Sequence, residues 1–369
     1  MNNKLIPSRE SVLSEDKSHL DDLYQRISTY IDKARFNVVT TIDREMLKTY
    51  WKIGKDIIDA EQQGSNRAKY GQELIANISR KLCENYGRGF SISNVRNMRQ
   101  FYLEYDLLKS EYPIHYTVCS ESQAPEFTSN LGWSHYRELM RVKRLNARAF
   151  YEIEASRNNW SARELQRQIG SLLYDRLAKS KDKEGLLALS YKGQEIIKPE
   201  DAIKEPLILE FLGLPEEHQY VESKLEEAII TNLQRFLLEL GKGFAFIARQ
   251  KRLTLDNEHF YADLVFYHVI LKCYVIIDIK TKRLTHADLG QIQFYVNYFD
   301  QEIKTENDNP TIGLVLCTDK SDAMVRYTLG EKTKQIFASS YQFHLPTEAE
   351  LEAELKREIK DFKQHSLKE

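Results

Sequence analysis

Residues 260–280, FYADLVFYHVILKCYVIIDIK, place two aspartates inside the longest apolar run of the chain and close it with a lysine. An ionised carboxylate in an apolar strand is costly unless something pairs with it. The β-branched and aromatic segments 260–267 and 273–280 read as two strands joined across HVILKC. Centring the turn between Ile270 and Leu271 sets Asp263 opposite Asp278, with Cβ atoms roughly 5 Å apart. Like charges so placed repel, unless a hard cation lies between them. Mg²⁺ takes carboxylate oxygens and keeps waters and a substrate phosphate as its other ligands. Lys280, two residues beyond Asp278, points to the same face. An ammonium there can hold a metal-bound water or stabilise charge developing on phosphorus. The expectation is a phosphodiester-hydrolysing site in which Asp263 and Asp278 hold the metal. The competing reading is a plain buried Asp–Lys ion pair, and the second, opposed aspartate weighs against it.

The surrounding pattern supplies a framework for that hairpin. SKLEEAIITNLQRFLLELG (223–241) reads as an amphipathic helix and GFAFIARQKRLTL (243–255) alternates like a strand. After the hairpin, 286–303 reads as a helix, 311–318 as a strand covered on both faces, and 341–345 as a last strand. The order is α-β-β-β-α-β. Glu226 lies in the first turn of the leading helix, where it can lean towards the strands, with Glu222 and Glu227 as competitors. Gln291 and Tyr295 stand four apart on the later helix and share a face, within reach of the metal site or the substrate backbone.

Residues 15–180 read as helices throughout, at 20–39, 46–63, from 70 to 105, at 133–156 and from Ala162 onward. Ser161 and Glu164 form a capping box before the last of these. Gly87-Arg88-Gly89 interrupts the third, and Ser91 or Ser93 can cap a new helix. Helix, short glycine turn, helix is a helix-turn-helix outline. Its second helix shows Asn94, Arg96, Asn97, Arg99 and Gln100 opposite an inner face of Val95, Met98, Phe101 and Tyr102. Those polar types can read base edges or hold phosphates, and equally make a solvated face. Trp133 and Trp160 precede helix starts as core anchors. The expected organisation is therefore an α+β multidomain chain: a helical, DNA-binding domain over 15–180, a linker over 181–220, an αβββαβ domain over 221–346, and a C-terminal helix over 347–369.

Composition narrows the function classes. Cys83, Cys119, Cys273 and Cys317 are widely spaced and read as free thiols of a reducing cytoplasm. The N-terminus has no apolar signal core, and the longest apolar run is broken by His268, Lys272 and Asp278, so no membrane span is expected. Net charge is −2, with the front half slightly basic and the back half acidic. No closely spaced histidine pair and no GxxxxGK[ST] occur, which argues against HNH and P-loop chemistry.

The joint pattern resembles the PD-(D/E)XK nuclease superfamily over residues 222–320. The whole chain, about 20–350, more closely resembles the bacterial YhcG-like family. That likeness rests on YGQELI, GFSISNVRNMRQFY, LGWSHYRELM and NNWSARELQRQI in the front half. In the back half it rests on LEEAIITNLQRFLLELGKGFAFIARQKRLTL, FYADLVFYH and GQIQFYVNYFD. The resemblance implies a restriction-endonuclease-like core with Glu226, Asp263, Asp278 and Lys280 as its catalytic set, Glu226 assisting the metal directly or through water. Gln291-x-x-x-Tyr295 matches a QxxxY extension, with Gln291 steadying the site. It departs in two respects: Asp278 stands where glutamate is commoner, and the loop HVILKC is unusually apolar for a hairpin turn. The expected protein is an Mg²⁺-dependent DNA endonuclease, with Mn²⁺ as a substitute ion, working on branched or foreign DNA and, by analogy, as a dimer. The alternatives are a catalytically silent nucleic-acid-binding protein with a nuclease fold, and an interaction protein assembled through its C-terminal helix.

Overall fold

The computed structural model describes residues 9–63, 67–111, 127–128, 130–178, 183–214, 221–329 and 335–346. The chain divides into two compact units, Met1–Leu165 and Gln166–Glu369. The expected C-terminal helix at 347–369 lies outside the described residues.

The first unit is helical. Helix α1 (Arg9–Gln63) is one continuous element where two had been expected. No glycine or proline interrupts residues 40–46, and Thr40 Oγ1 donates back to Phe36 O, so its hydroxyl is satisfied within the helix. Helix α2 (Arg67–Tyr86) ends at Gly87, whose φ of 88° is easy only for glycine. A single 3₁₀ turn, Arg88–Phe90, leads into α3 (Ile92–Glu111). Ser91 caps α3 by accepting from Asn94 N at 3.4 Å. Val95, Met98 and Phe101 face inward and are fully buried, as the periodicity implied. Gly54 lets α1 lie against α3, since a Cβ there would sit 2.2 Å from the Met98 carbonyl oxygen.

The segment expected as one helix over 133–156 is two, α4 (Trp133–Leu139) and α5 (Leu145–Arg157). The break has a clear electrostatic partner. The buried Arg148 guanidinium takes Val142 O through Nε and Nη2, and Glu104 Oε2 at 2.6 Å. Phe101, Tyr105, Phe127, Trp133 and Tyr136 form an aromatic cluster beside it.

The second unit begins within α6 (Ala162–Gly170), which Ser161 caps by accepting from Glu164 N. Three short helices follow: α7 (Leu173–Ala178), α8 (Lys183–Lys192) and α9 (Pro199–Ala202). Residues 181–220 are not a bare linker, because β1 (Leu207–Ile208) adds a strand to the sheet. Next come α10 (Glu222–Thr231) and α11 (Leu233–Leu240), separated at Asn232, whose amide Nδ2 folds back onto Ala228 O. A meander of β2 (Phe244–Leu255), β3 (Glu258–His268) and β4 (Cys273–Ile279) precedes α12 (His286–Tyr298) and its π-helical extension Phe299–Ile303. Then β5 (Ile312–Cys317), α13 (Asp322–Leu329) and β6 (Ile336–Gln342) complete the fold. The last strand starts five residues before the expected 341. Its Ser339 and Ser340 disguise it in the sequence, and they bond to Lys204 O and Glu205 instead of facing water.

The sheet order is β1-β6-β5-β4-β3-β2. Strands β2, β3 and β4 are antiparallel, while β4, β5, β6 and β1 are parallel. Both faces are covered. Val275, Ile277 and Ile279 pack against α10 and α11, and Ile276 packs on the α12 side. Every residue of β5 is therefore buried, as its wholly apolar sequence requires.

Beneath the sheet edge, Glu239 is buried and receives Arg176 Nη1 at 2.6 Å, Arg167 Nη1 at 3.1 Å and Ile208 N at 2.9 Å. Burial pushes its carboxyl up, but the charges of Arg176, Lys204 and Arg167 pull harder and leave it at about 2. A depressed carboxyl stabilises the fold above its ordinary 4.5 and loses that contribution as pH falls towards 2. Glu239→Gln is expected to cost about 3–5 kcal/mol at neutral pH and to flatten stability between pH 4.5 and 2, checked by urea unfolding across pH. In the other unit, Gly54→Ala is expected to destabilise by about 1–3 kcal/mol by overpacking, read in the same assay.

Candidate active site

The β3–β4 hairpin carries the centre of the site. Its pairs run from Leu264↔Ile277 to His268↔Cys273, the register that sets Asp263 against Asp278 one step beyond the last pair. Lys272, at φ 51°, helps close the apolar turn. At the level of the aspartates the ladder stops, and Asp263 Oδ2 itself accepts the Ile279 N–H at 2.9 Å. The side chain thus does the work of a strand carbonyl.

Asp278 is completely buried, on the α12 side of β4. Lys280 Nζ lies 2.9 Å from its Oδ2, and Oδ1 meets no hydrogen-bond donor among the described residues. Burial pushes the Asp278 carboxyl up to about 7, with Asp263 adding to the rise and Lys280 opposing it. Burial also raises Asp263, helped by Glu226 and resisted by the Ile279 N–H and Lys280. For Lys280, burial works against the charge, but Asp278 outweighs it and the ammonium is held more firmly than usual.

Glu226 reaches this centre from α10. It is buried, with Oε1 ion-paired to Arg249 Nε and Oε2 accepting Gln250 Nε2 at 2.6 Å. The same Gln250 nitrogen donates to Asp263 Oδ1 at 3.0 Å. Gln250 was missed in the sequence, where IARQKRL reads as ordinary alternation. Two backbone features that no residue pattern announces place it there: a bulge between Phe246 and Ala248, and φ of 46° at Gln250 itself.

On α12, Gln291 Nε2 donates to Tyr295 Oη at 2.7 Å, and that hydroxyl donates to Tyr261 O at 2.9 Å. The pair ties α12 to β3, and the fields of Asp278 and Asp263 reach the tyrosine. In the helical unit, Asn94, Arg99 and Gln100 hold internal partners: Trp133 and Gly89, Glu61, and Glu104 respectively. Arg96 is exposed and Asn97 half-exposed.

The donors would suit a hard divalent cation, because the register brings two carboxylates to opposed positions and one buried oxygen of Asp278 meets no donor among the described residues. Among the described residues no three His, Cys, Asp or Glu side chains converge into a metal-holding group.

The αβββαβ core with this strand-end triad defines a chain of the PD-(D/E)XK nuclease class. Residues 200–359 match the model of the YhcG PDDEXK nuclease domain, and residues 26–176 match the DUF1016 N-terminal domain. The YhcG protein of Escherichia coli (strain K12) is 38% identical over 368 residues, covering 94% of this chain and 96% of that one. The chain belongs to the YhcG family. Among solved structures, a repair endonuclease from Pyrococcus abyssi gives a TM-score of 0.25 at 14% identity, over 36% of this chain and half of that one. A complex of EndoMS with double-stranded DNA gives the same values, a likeness too slight to build on. No helix among the described residues is long and apolar enough to cross a membrane.

A carboxyl raised by folding makes stability fall as pH climbs from its ordinary 3.8 to its folded value of about 7. In chelator, thermal melts are expected to fall across that range in the native sequence. Asp278→Asn is expected to remove most of the slope.

Proposed function

We propose that the protein is a divalent-cation-dependent DNA endonuclease. The observation that carries this reading is the Asp278–Lys280 contact at 2.9 Å beside Asp263, with one buried Asp278 oxygen left open. Asp263 and Asp278 would hold Mg²⁺, or Mn²⁺ in its place. When bound, the cation would make water acidic and offset charge on the scissile phosphate. Lys280 orients the attacking water and faces the charge that grows on phosphorus, in a site where burial strengthens that interaction. The Gln291–Tyr295 pair holds α12 against β3 and so keeps one wall of the site in place.

The helical unit would supply DNA affinity through exposed cations such as Arg96, with Asn97 beside it, on a duplex or a branched structure. Asn94, Arg99 and Gln100, engaged internally, would set the shape of that surface. A second copy of the chain would supply the second cut of a duplex.

The test is cleavage of labelled duplex, single-strand, flap and four-way-junction DNA with Mg²⁺, Mn²⁺ or EDTA. Cutting is expected only with the metals, and Lys280→Ala is expected to slow it about 10²-fold or more. Binding without cutting under every condition would favour the silent binding protein. Neither binding nor cutting would overturn the proposal.

A further inference from the structure

The carboxylates of Glu226 and Asp263 are joined through one side chain. Gln250 Nε2 donates to Glu226 Oε2 and Asp263 Oδ1 together, and Arg249 occupies the other Glu226 oxygen. Both oxygens of Glu226 are thus taken by protein donors. Asp263 accepts one bond on each oxygen, from Gln250 and from Ile279 N, and each oxygen keeps a further lone-pair position. Two bonds from different strands prevent the carboxylate from turning. The Gln250 backbone is left-handed at φ 46°, an uncommon state for a residue with a Cβ. A non-glycine residue held in such a conformation at a site is a reason to look for a role.

We infer that Gln250 is a positioning residue: it locks Asp263 in the orientation that accepts a divalent cation, and Glu226 acts through it instead of touching the ion. This rests on the cation reading proposed above. Glu226 is the anchor, fixed by Arg249 and buried midway along α10. Its charge makes the Gln250 amide a firm bridge, because hydrogen bonds to a charged acceptor are the strong ones. Partners that hold a metal ligand in place commonly change affinity about 10–100-fold when removed.

The test is titration of the full chain with Mn²⁺ alone, read by calorimetry, with a thermal melt of each variant in chelator. Gln250→Gly removes the amide while suiting the positive φ, so it should stay folded, which its melt in chelator checks. Its Mn²⁺ affinity should nevertheless fall about 10–100-fold. Glu226→Ala should weaken binding to a similar degree. The double variant should be no weaker than the worse single one, because both changes act along one connection. Unchanged affinity in Gln250→Gly, or additive losses in the double variant, would overturn the inference. Asp263→Asn separates the two levels. If it abolishes Mn²⁺ binding while Gln250→Gly leaves it intact, only the positioning role fails. If Asp263→Asn binds like the native chain, or the native chain binds no Mn²⁺, the cation reading itself fails and takes the inference with it.

Discussion

A carboxylate at position 278, completely buried in the sheet, is expensive in its charged form, and its neighbours are arranged around that cost. Its carboxyl is held near neutrality by burial, and the Lys280 ammonium is the one charge placed to counter it within the ladder. A well-packed apolar residue would serve stability better at such a position. What the aspartate offers instead is a buried carboxylate, one oxygen of which meets no donor among the described residues, at the strand position that follows the Leu264↔Ile277 pair towards Asp263. Stability given up for a buried carboxylate with a raised pKa is a reason to look for a role there.

The fold makes that arrangement possible by changing strand direction at β4. On one side β3 is antiparallel, so a hairpin register alone brings Asp263 to Asp278. On the other side β5 is parallel, and the crossover through α12 lays Gln291 and Tyr295 over the same strand ends. The two faces are sealed by separate cores, one on the α10 and α11 side and one on the α12 side.

Charge is treated differently at the two buried polar centres of the second unit. Glu239 is surrounded by Arg176, Arg167 and Lys204, and its carboxyl is driven down to about 2. Asp278 is buried beside Lys280, with the acids Asp263 and Glu222 nearby, and its carboxyl is driven up to about 7. The first is a closed network that ties α6, α7 and α11 to the β1 edge of the sheet.

Much of this was legible in the residues themselves. Two aspartates spaced symmetrically about an apolar turn determine the register, because side chains alternate with period two and an apolar hairpin tolerates no slip. Lys280 follows from the same period, and the buried strand at 312–317 from its unbroken apolar run. The glycine turn at 87–89 and the inner face of α3 were readable for similar local reasons. Tertiary structure alone decided the rest. The break after Leu139 depends on partners far along the chain, such as Glu104 for Arg148. Strand β6 was hidden because Ser339 and Ser340 find their bonds at residues 204 and 205. Gln250 was invisible because a bulge and a left-handed residue aim it, and no side-chain pattern encodes either. Local periodicity reports which face a residue takes, whereas only the folded chain reports which distant group it meets there.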